Sequence, residues 1–215
     1  EKHLKKFKNE KIYLGKSWSN SYLNDSKTLL FCLSRYKFVS KLLSGKKNVL
    51  EVGCGEAIGS PIVAQEVKQL HCIDFIEDEI KNNIERLKMF KNIKFKCLDM
   101  NKNSFQKKFD AAYLLDVFEH VNPKDSKNFI NNICKSLIQK SILIIGVPNI
   151  TANKYASKNS KKNHINLMNQ KDLKKLLSKY FEHNLIFGMN DEVLHTGFFP
   201  MAQYIFIVSI NKKKL

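Results

Sequence analysis

Val49-Leu50-Glu51-Val52-Gly53-Cys54-Gly55-Glu56-Ala57-Ile58-Gly59 is the stretch on which the reading of this chain turns. A short apolar run ends in a carboxylate and then in glycines at 53, 55 and 59, the pattern of a buried strand that breaks into a tight turn and feeds a helix. Such a turn needs glycine, because the backbone must reach positive φ or approach a ligand with no Cβ in the way. It presents backbone N–H groups at the carboxyl edge of a sheet, where open α/β folds bind their ligands. The spacing then excludes two ligand classes. A dinucleotide loop, G-x-G-x-x-G, requires glycine where Ile58 stands, and a phosphate-cradling loop requires Lys-Ser/Thr where Gly59 is followed by Ser60-Pro61. The loop is suited to a nucleoside without a pyrophosphate.

Outward from this loop, apolar runs recur, each closing on a polar or turn residue. Leu70–Ile73 ends at Asp74, Ile93–Leu98 at Asp99, Ala111–Leu115 at Asp116 and Ile142–Val147 at Pro148. Helical patterns lie between them at roughly 59–68, 77–90 and 125–139. This alternation predicts a mostly parallel sheet covered on both faces. Any single Asp here is also a common helix N-cap. Repetition at these intervals favours the ligand edge of one sheet.

With these residues, the chain resembles the class I S-adenosylmethionine-dependent methyltransferases, whose first motif is an acidic residue followed by G-x-G-x-G. Ala57 stands in place of the motif's last glycine. The resemblance spans about residues 48–148 and implies an α/β, Rossmann-like seven-stranded methyltransferase sheet, mostly parallel with a reversed edge strand (Tyr204–Ile210) and helices on both faces. It implies S-adenosylmethionine as cofactor. Asp74, with Phe75 beside it, matches the residue that holds the ribose hydroxyls, and Asp99, with Met100, the one that receives the adenine amino group. An ionised carboxylate suits a diol, since charge-assisted hydrogen bonds are about twice as strong as neutral ones. Gly53, Cys54, Gly55 and Asp116 complete the implied cofactor set. Glu51 is expected to order the glycine turn or approach the amino-acid end of the cofactor.

The fourth-strand segment Asp116-Val117-Phe118-Glu119-His120 forms a D-x-x-E-H pattern. It is similar to a branch that includes quinone O-methyltransferases and small-RNA ribose methyltransferases, some of which bind a divalent metal there. The resemblance implies that Asp116, Glu119 and His120 could hold Mg²⁺, Mn²⁺ or Zn²⁺, with His164 or His195 completing the shell. The preferred alternative is metal-free, with Glu119 and His120 tying the loop. For a general base the candidates are His195 or His120, with Asp191 or Glu192 as orienters. The long loop Met189–Gln203 keeps three of these groups, Asp191, Glu192 and His195, as functional loops tend to do.

Residues 1–45 read as an N-terminal arm and lid helix (Thr28–Leu43), and 46–215 as the methyltransferase domain. In the arm, Arg35 or Trp18 would reach the methionine carboxylate or the substrate; alternatively Trp18 anchors the arm. Asn149–Asn169, polar and without periodicity, is expected to be a substrate-facing arm.

Composition narrows the acceptor. The net charge of +17 invites nucleic acid, but the basic residues are lysine except for Arg35 and Arg86, and arginine is the preferred fork for phosphates. No Asn/Asp-Pro-Pro-aromatic follows the fourth strand and no Pro-Cys follows it or the fifth, which sets aside base N- and C5-methylation. A small-molecule acceptor, a hydroxyl or amine of a sugar or related metabolite, is expected. Asn190–Phe198 loosely resembles uncharacterised methyltransferases of sugar modification. The alternatives are an RNA methyltransferase or a non-catalytic, methyltransferase-like partner protein. No apolar run of about 18 residues reads as a membrane span. Glu1–Lys11 lacks the apolar core of a secretory signal, and five cysteines without C-x-x-C suit a reduced, cytoplasmic protein.

Overall fold

The computed structural model describes residues 11–214; most of the Glu1–Lys11 segment lies outside them. Two helices, α1 (Lys16–Asn24) and α2 (Ser26–Leu42), precede the first strand. The sheet then builds up as β1 (Asn48–Val52), α3 (Ser60–Ala64), β2 (Gln69–Asp74), α4 (Glu77–Arg86), β3 (Ile93–Cys97), β4 (Phe109–Leu115), α5 (Ser126–Lys135) and β5 (Leu137–Pro148). It continues through α6 (Lys158–Asn163), α7 (Gln170–Leu177), β6 (Phe181–Asn190), β7 (Val193–His195) and β8 (Tyr204–Lys212).

Strand order is β3-β2-β1-β4-β5-β8-β6-β7. The first five strands run parallel, and β8 is antiparallel to both β5 and β6. The Rossmann-like sheet is thus as expected, with one strand more than seven. The addition is β7, which forms a hairpin on β6 through Asn190↔Val193 and Gly188↔His195. The reversed strand lies on this side of the sheet, between β5 and β6.

Alternation of side chains explains why the central strands are apolar throughout. On β1, Val49 faces the α2–α3–α4 side, whereas Leu50 and Val52 face α5 and α7. On β4, Ala111, Tyr113 and Leu115 take the first side and Ala112 and Leu114 the second. A strand buried on both faces has no polar position to spare, and each fully buried leucine contributes roughly 1.5–3 kcal/mol. Glu51 is therefore an exception to be explained.

Two segments differ from the periodicity. The pattern at 125–139 divides, because Leu137 and Ile138 belong to β5; a short apolar run alone does not distinguish buried helix from buried strand. The 149–169 segment holds a 3₁₀ turn (Ile150–Tyr155) and α6, and Asn149 and Met168 bridge in parallel fashion. α2 packs against the sheet as its apolar stripe predicts, with Leu29, Tyr36 and Val39 buried.

Candidate active site

The glycine turn is held from three directions. The N–H groups of Gly53 and Cys54 both donate to the Ile73 carbonyl, at 2.8 and 3.0 Å. The Gly55 N–H donates to Asp74 Oδ2 at 2.9 Å, and Asn83 Nδ2 donates to the Gly55 carbonyl at 2.6 Å. Ala57, which stands for the missing glycine, carries φ 50 and closes a turn with N–H to the Cys54 carbonyl at 2.7 Å. Alanine thus bears a left-handed backbone that glycine adopts at less cost. Gly55 adopts φ +48, and a Cβ there would project into open space.

That space is a cavity of about 430 Å³ at the carboxyl ends of β1, β2, β3 and β4. Gly53, Gly55, Asp74, Asp99, Met100, Asp116 and His120 line it, together with Phe75, Ile76, Leu98, Val117, Val121 and Phe129. The residues fit a nucleoside. Asp74 is fixed by the Ile76 N–H on Oδ1 (3.0 Å) and by Gly55 on Oδ2, and each oxygen keeps a further lone pair for a diol. Asp99 Oδ1 accepts from Asn101 N–H at 2.9 Å, and Lys102 stands 3.3 Å from Oδ2. Leu98, Val121 and Phe129 give this part of the cavity an apolar lining suited to a flat ring.

Several sequence candidates stand off the wall. Glu51 is buried behind the loop, where Oε2 accepts from Ser60 Oγ (2.5 Å) and Cys72 Sγ (3.1 Å). It links the end of β1 to the start of α3 and β2. Burial pushes its carboxyl up, against the opposing pull of these hydrogen bonds. The Cys54 side chain is buried in the core. Trp18 packs against the α2-side core. Arg35 Nη1 binds Asp116 Oδ2 at 2.7 Å, and its guanidinium lies 4.0 Å over the Tyr204 ring. Burial opposes the Arg35 charge, but Asp116, Tyr204 and Cys32 together outweigh it and raise the pKa. Asp116 itself sits at φ 55, a left-handed non-glycine residue at the cavity.

Beyond Asp116 the wall becomes titratable. Glu119 is almost wholly buried and neither carboxylate oxygen has a hydrogen-bond partner. Burial, and then the negative Asp116, hold its carboxyl well above the usual range. His120 Nε2 is 4.0 Å from Glu119 Oε1, while Nδ1 pairs with the Asn163 carbonyl at 3.0 Å. His164 meets His120 edge to face, 5.0 Å between centroids. One ligand atom from each of Glu119, His120 and His164 lies within 4.8 Å of the others. An orphaned buried carboxylate with two imidazoles is a donor set that fits a divalent cation, and the Nδ1 contact is the outer hydrogen bond that orients ligating imidazoles. Asp116 is taken by Arg35 and stands outside this group.

His195 lies on β7 against Gly188, with Nε2 unpartnered. Asp191 and Glu192 are the exposed turn of the β6–β7 hairpin. None of the three lines the cavity. Sequence reasoning missed Asn83 and Arg86, which grip the loop from α4; their i, i+3 spacing was the available signal. It also missed Asn166, whose N–H donates to the Glu119 carbonyl at 3.0 Å and whose Nδ2 reaches the Phe118 carbonyl and Ser126 Oγ.

A family described as a methyltransferase domain matches residues 25–180. Carboxy-S-adenosyl-L-methionine synthase of Helicobacter pylori (strain G27) is 30% identical over 107 residues. That match takes in 48% of this chain and 44% of the relative, so less than half of the relative is spanned. The N-methyltransferase NodS of Bradyrhizobium japonicum WM9, solved with S-adenosyl-L-homocysteine, is 17% identical with a TM-score of 0.61, covering 87% of this chain and 86% of NodS. The plantazolicin methyltransferase BpumL, solved with a monoazolic desmethylPZN analog and S-adenosylhomocysteine, is also 17% identical, with a TM-score of 0.66 over 91% of this chain and 88% of BpumL. At such identities the two structures speak for the fold, and the family match carries the assignment. The chain belongs to the methyltransferase-domain family, among the class I S-adenosylmethionine-dependent methyltransferases.

Proposed function

We propose that this chain transfers the methyl group of S-adenosylmethionine to a hydroxyl or amine of a small polar acceptor, a sugar or related metabolite. One observation carries the reading: a single cavity joins the nucleoside-type wall of Gly55, Asp74 and Asp99 to the polar end formed by Asp116 and His120. Methyl transfer from a sulfonium is an in-line displacement. The protein has to hold the acceptor atom about 3 Å from the methyl carbon, exclude water and take a proton where the acceptor is a hydroxyl. Asp74 and Asp99 would hold the nucleoside, the glycine turn would let it approach the backbone closely, and His120 would accept the proton. NodS and BpumL, described as methyltransferases and solved with S-adenosylhomocysteine, support the cofactor half of this reading. Arginine scarcity argues against nucleic acid, and five unpaired thiols, four of them buried, support a reducing, cytoplasmic setting. Among the described residues no helix is long and apolar enough to cross a membrane.

The unpartnered Glu119 oxygens favour a second reading of the same site. Glu119, His120 and His164 would hold a divalent cation, which would lower the pKa of an acceptor hydroxyl in place of a protein base.

The first test is thermal denaturation with S-adenosylhomocysteine, NAD serving as control. Ligand at about 100 times its Kd adds about 2.7 kcal/mol, or roughly 5–10 °C for a domain this size. No shift would point to a non-catalytic scaffold, and a shift with NAD would overturn the cofactor. Labelled S-adenosylmethionine is then offered with sugar, hydroxyl and amine acceptors, before and after exhaustive EDTA treatment. Turnover that survives chelation but not His120→Ala supports the base; turnover restored only by metal supports the cation. RNA arms run across a salt series, and a mass readout for carboxylated S-adenosylmethionine, test the competing products.

A further inference from the structure

Helix α1 is poorly made for independence. Its sequence, KSWSNSYLN, is nine residues long, has no alanine, and buries no residue fully. Isolated helices below about 12–15 residues are marginal, and Ser and Asn compete for the backbone. Its N-cap position is Gly15, which has no side chain to offer, and its first turn holds no acidic residue. The missing acceptor comes from 38 and 39 residues away. Glu56 Oε1 accepts the Ser17 N–H at 2.8 Å, and Oε2 accepts the Trp18 N–H at 3.0 Å. The fit is close: Gly15 sits at φ +102, and a Cβ there would come within 2.6 Å of the Glu56 carboxyl carbon.

Glu56 is the residue after Gly55 in the glycine turn, and the turn is latched on both sides of it. Asn83 holds the Gly55 carbonyl, while Arg86 Nη2 donates to the Glu56 carbonyl and Nη1 reaches the Tyr13 carbonyl at 3.5 Å. The Gly55 N–H in turn rests on Asp74, on the cavity wall. A continuous chain of contacts therefore runs from the ribose-type carboxylate, through the loop, to the first turn of α1.

We infer that Glu56 is a positioning residue that couples occupancy of the cavity to the helical state of α1. The inference rests on the reading that the cavity takes S-adenosylmethionine. A ligand that engages Asp74 and Gly55 fixes the loop, and a fixed loop aims the Glu56 carboxylate at the Ser17 and Trp18 N–H groups. Linkage makes the effect reciprocal: a formed α1 tightens the ligand by the same factor.

The test is amide hydrogen exchange of residues 15–24 with and without S-adenosylhomocysteine, beside calorimetric binding. In the wild type the ligand slows exchange there by about tenfold. In Glu56→Ala, exchange of α1 is fast without ligand, the ligand-dependent slowing is lost, and affinity falls by about 3–10-fold. Glu56→Gln, which keeps an acceptor oxygen without the charge, recovers part of the protection. Gly15→Ala perturbs the same contact from the other side and reproduces the loss, even where a Glu56 variant folds badly. Emission of Trp18, the chain's one tryptophan, supplies an independent signal. Ligand that binds without protecting α1, or protection undiminished in both variants, overturns the coupling alone. Absence of calorimetric binding in the wild type removes the cofactor reading, and the coupling with it.

Discussion

The sheet has two halves that were assembled by different means. From β3 to β4 the ligand edge is made of residues that sit directly after their strands: Gly53 after β1, Asp74 at the end of β2, Asp99 just past β3, Asp116 just past β4. Each is placed by its own strand. Past β4 the edge is made by distant segments brought together. Glu119 and His120 meet His164; one buried amide, Asn166, holds that meeting, and a second, Asn149, holds the end of β5 to the 199–202 segment. Asn166 ties the Glu119 and Phe118 carbonyls, and Asn149 Nδ2 donates to the carbonyls of Phe199 and Ala202, both at 2.9 Å. The first half shows binding chemistry written locally; the second shows it written in tertiary hydrogen bonds.

The largest expected effect tests that division directly. Asn149→Ala leaves two carbonyls short of a donor and costs about 3 kcal/mol, or a fall in Tm of roughly 6–12 °C. Calorimetry at low temperature should still find S-adenosylhomocysteine bound with little change. A comparable loss of ligand would show that the halves are not separable. Next, Asp74→Ala should weaken S-adenosylhomocysteine by roughly 10–100-fold through lost charge-assisted bonds. Tm without ligand should fall here too, since the Gly55 and Ile76 N–H groups lose their acceptor, so the contrast rests on affinity: a loss of ligand no larger than in Asn149→Ala would break it.

The smallest effect is one of pH. His71, on β2, packs edge-on against Phe105 and Phe109, and burial, then Lys107 and Lys94, hold its imidazole down at about 4 from an ordinary 6.5. The native state thus refuses a proton that the unfolded chain accepts. Above about 6.5 neither state is charged and nothing is lost. As pH falls from 6.5 towards 4, stability drops, by about 1 kcal/mol once the partial exposure of the ring is allowed for. His71→Phe should flatten that part of a stability–pH curve and leave the curve above pH 7 unchanged.

The contrast also explains what could be read in advance. The glycine turn, Asp74, Asp99 and Asp116 were legible because strand-to-turn chemistry is local in sequence. Glu51 was legible as a motif residue, but its position behind the loop was not, since its partners Ser60 and Cys72 lie on other elements. Asn149 and Asn166 were hidden by composition: in a chain rich in asparagine, a structural amide looks like any surface one. His195 drew attention because it sits in a long loop, yet Leu194 and Val193 pair with β6 and leave it against Gly188. Glu56 was invisible because helix capping normally comes from the residue just before the helix.

Strand β5 deserves its length. Its twelve residues pair in parallel with β4 on one side and antiparallel with β8 on the other. All the residues that line the cavity precede its last residue, Pro148, and His164, Asn166 and the 199–202 segment come after it. The peptide bond after Pro148 is therefore where a chimeric chain would divide the two halves. A swap there would exchange the later segments as a cassette and leave the residues that line the cavity unchanged.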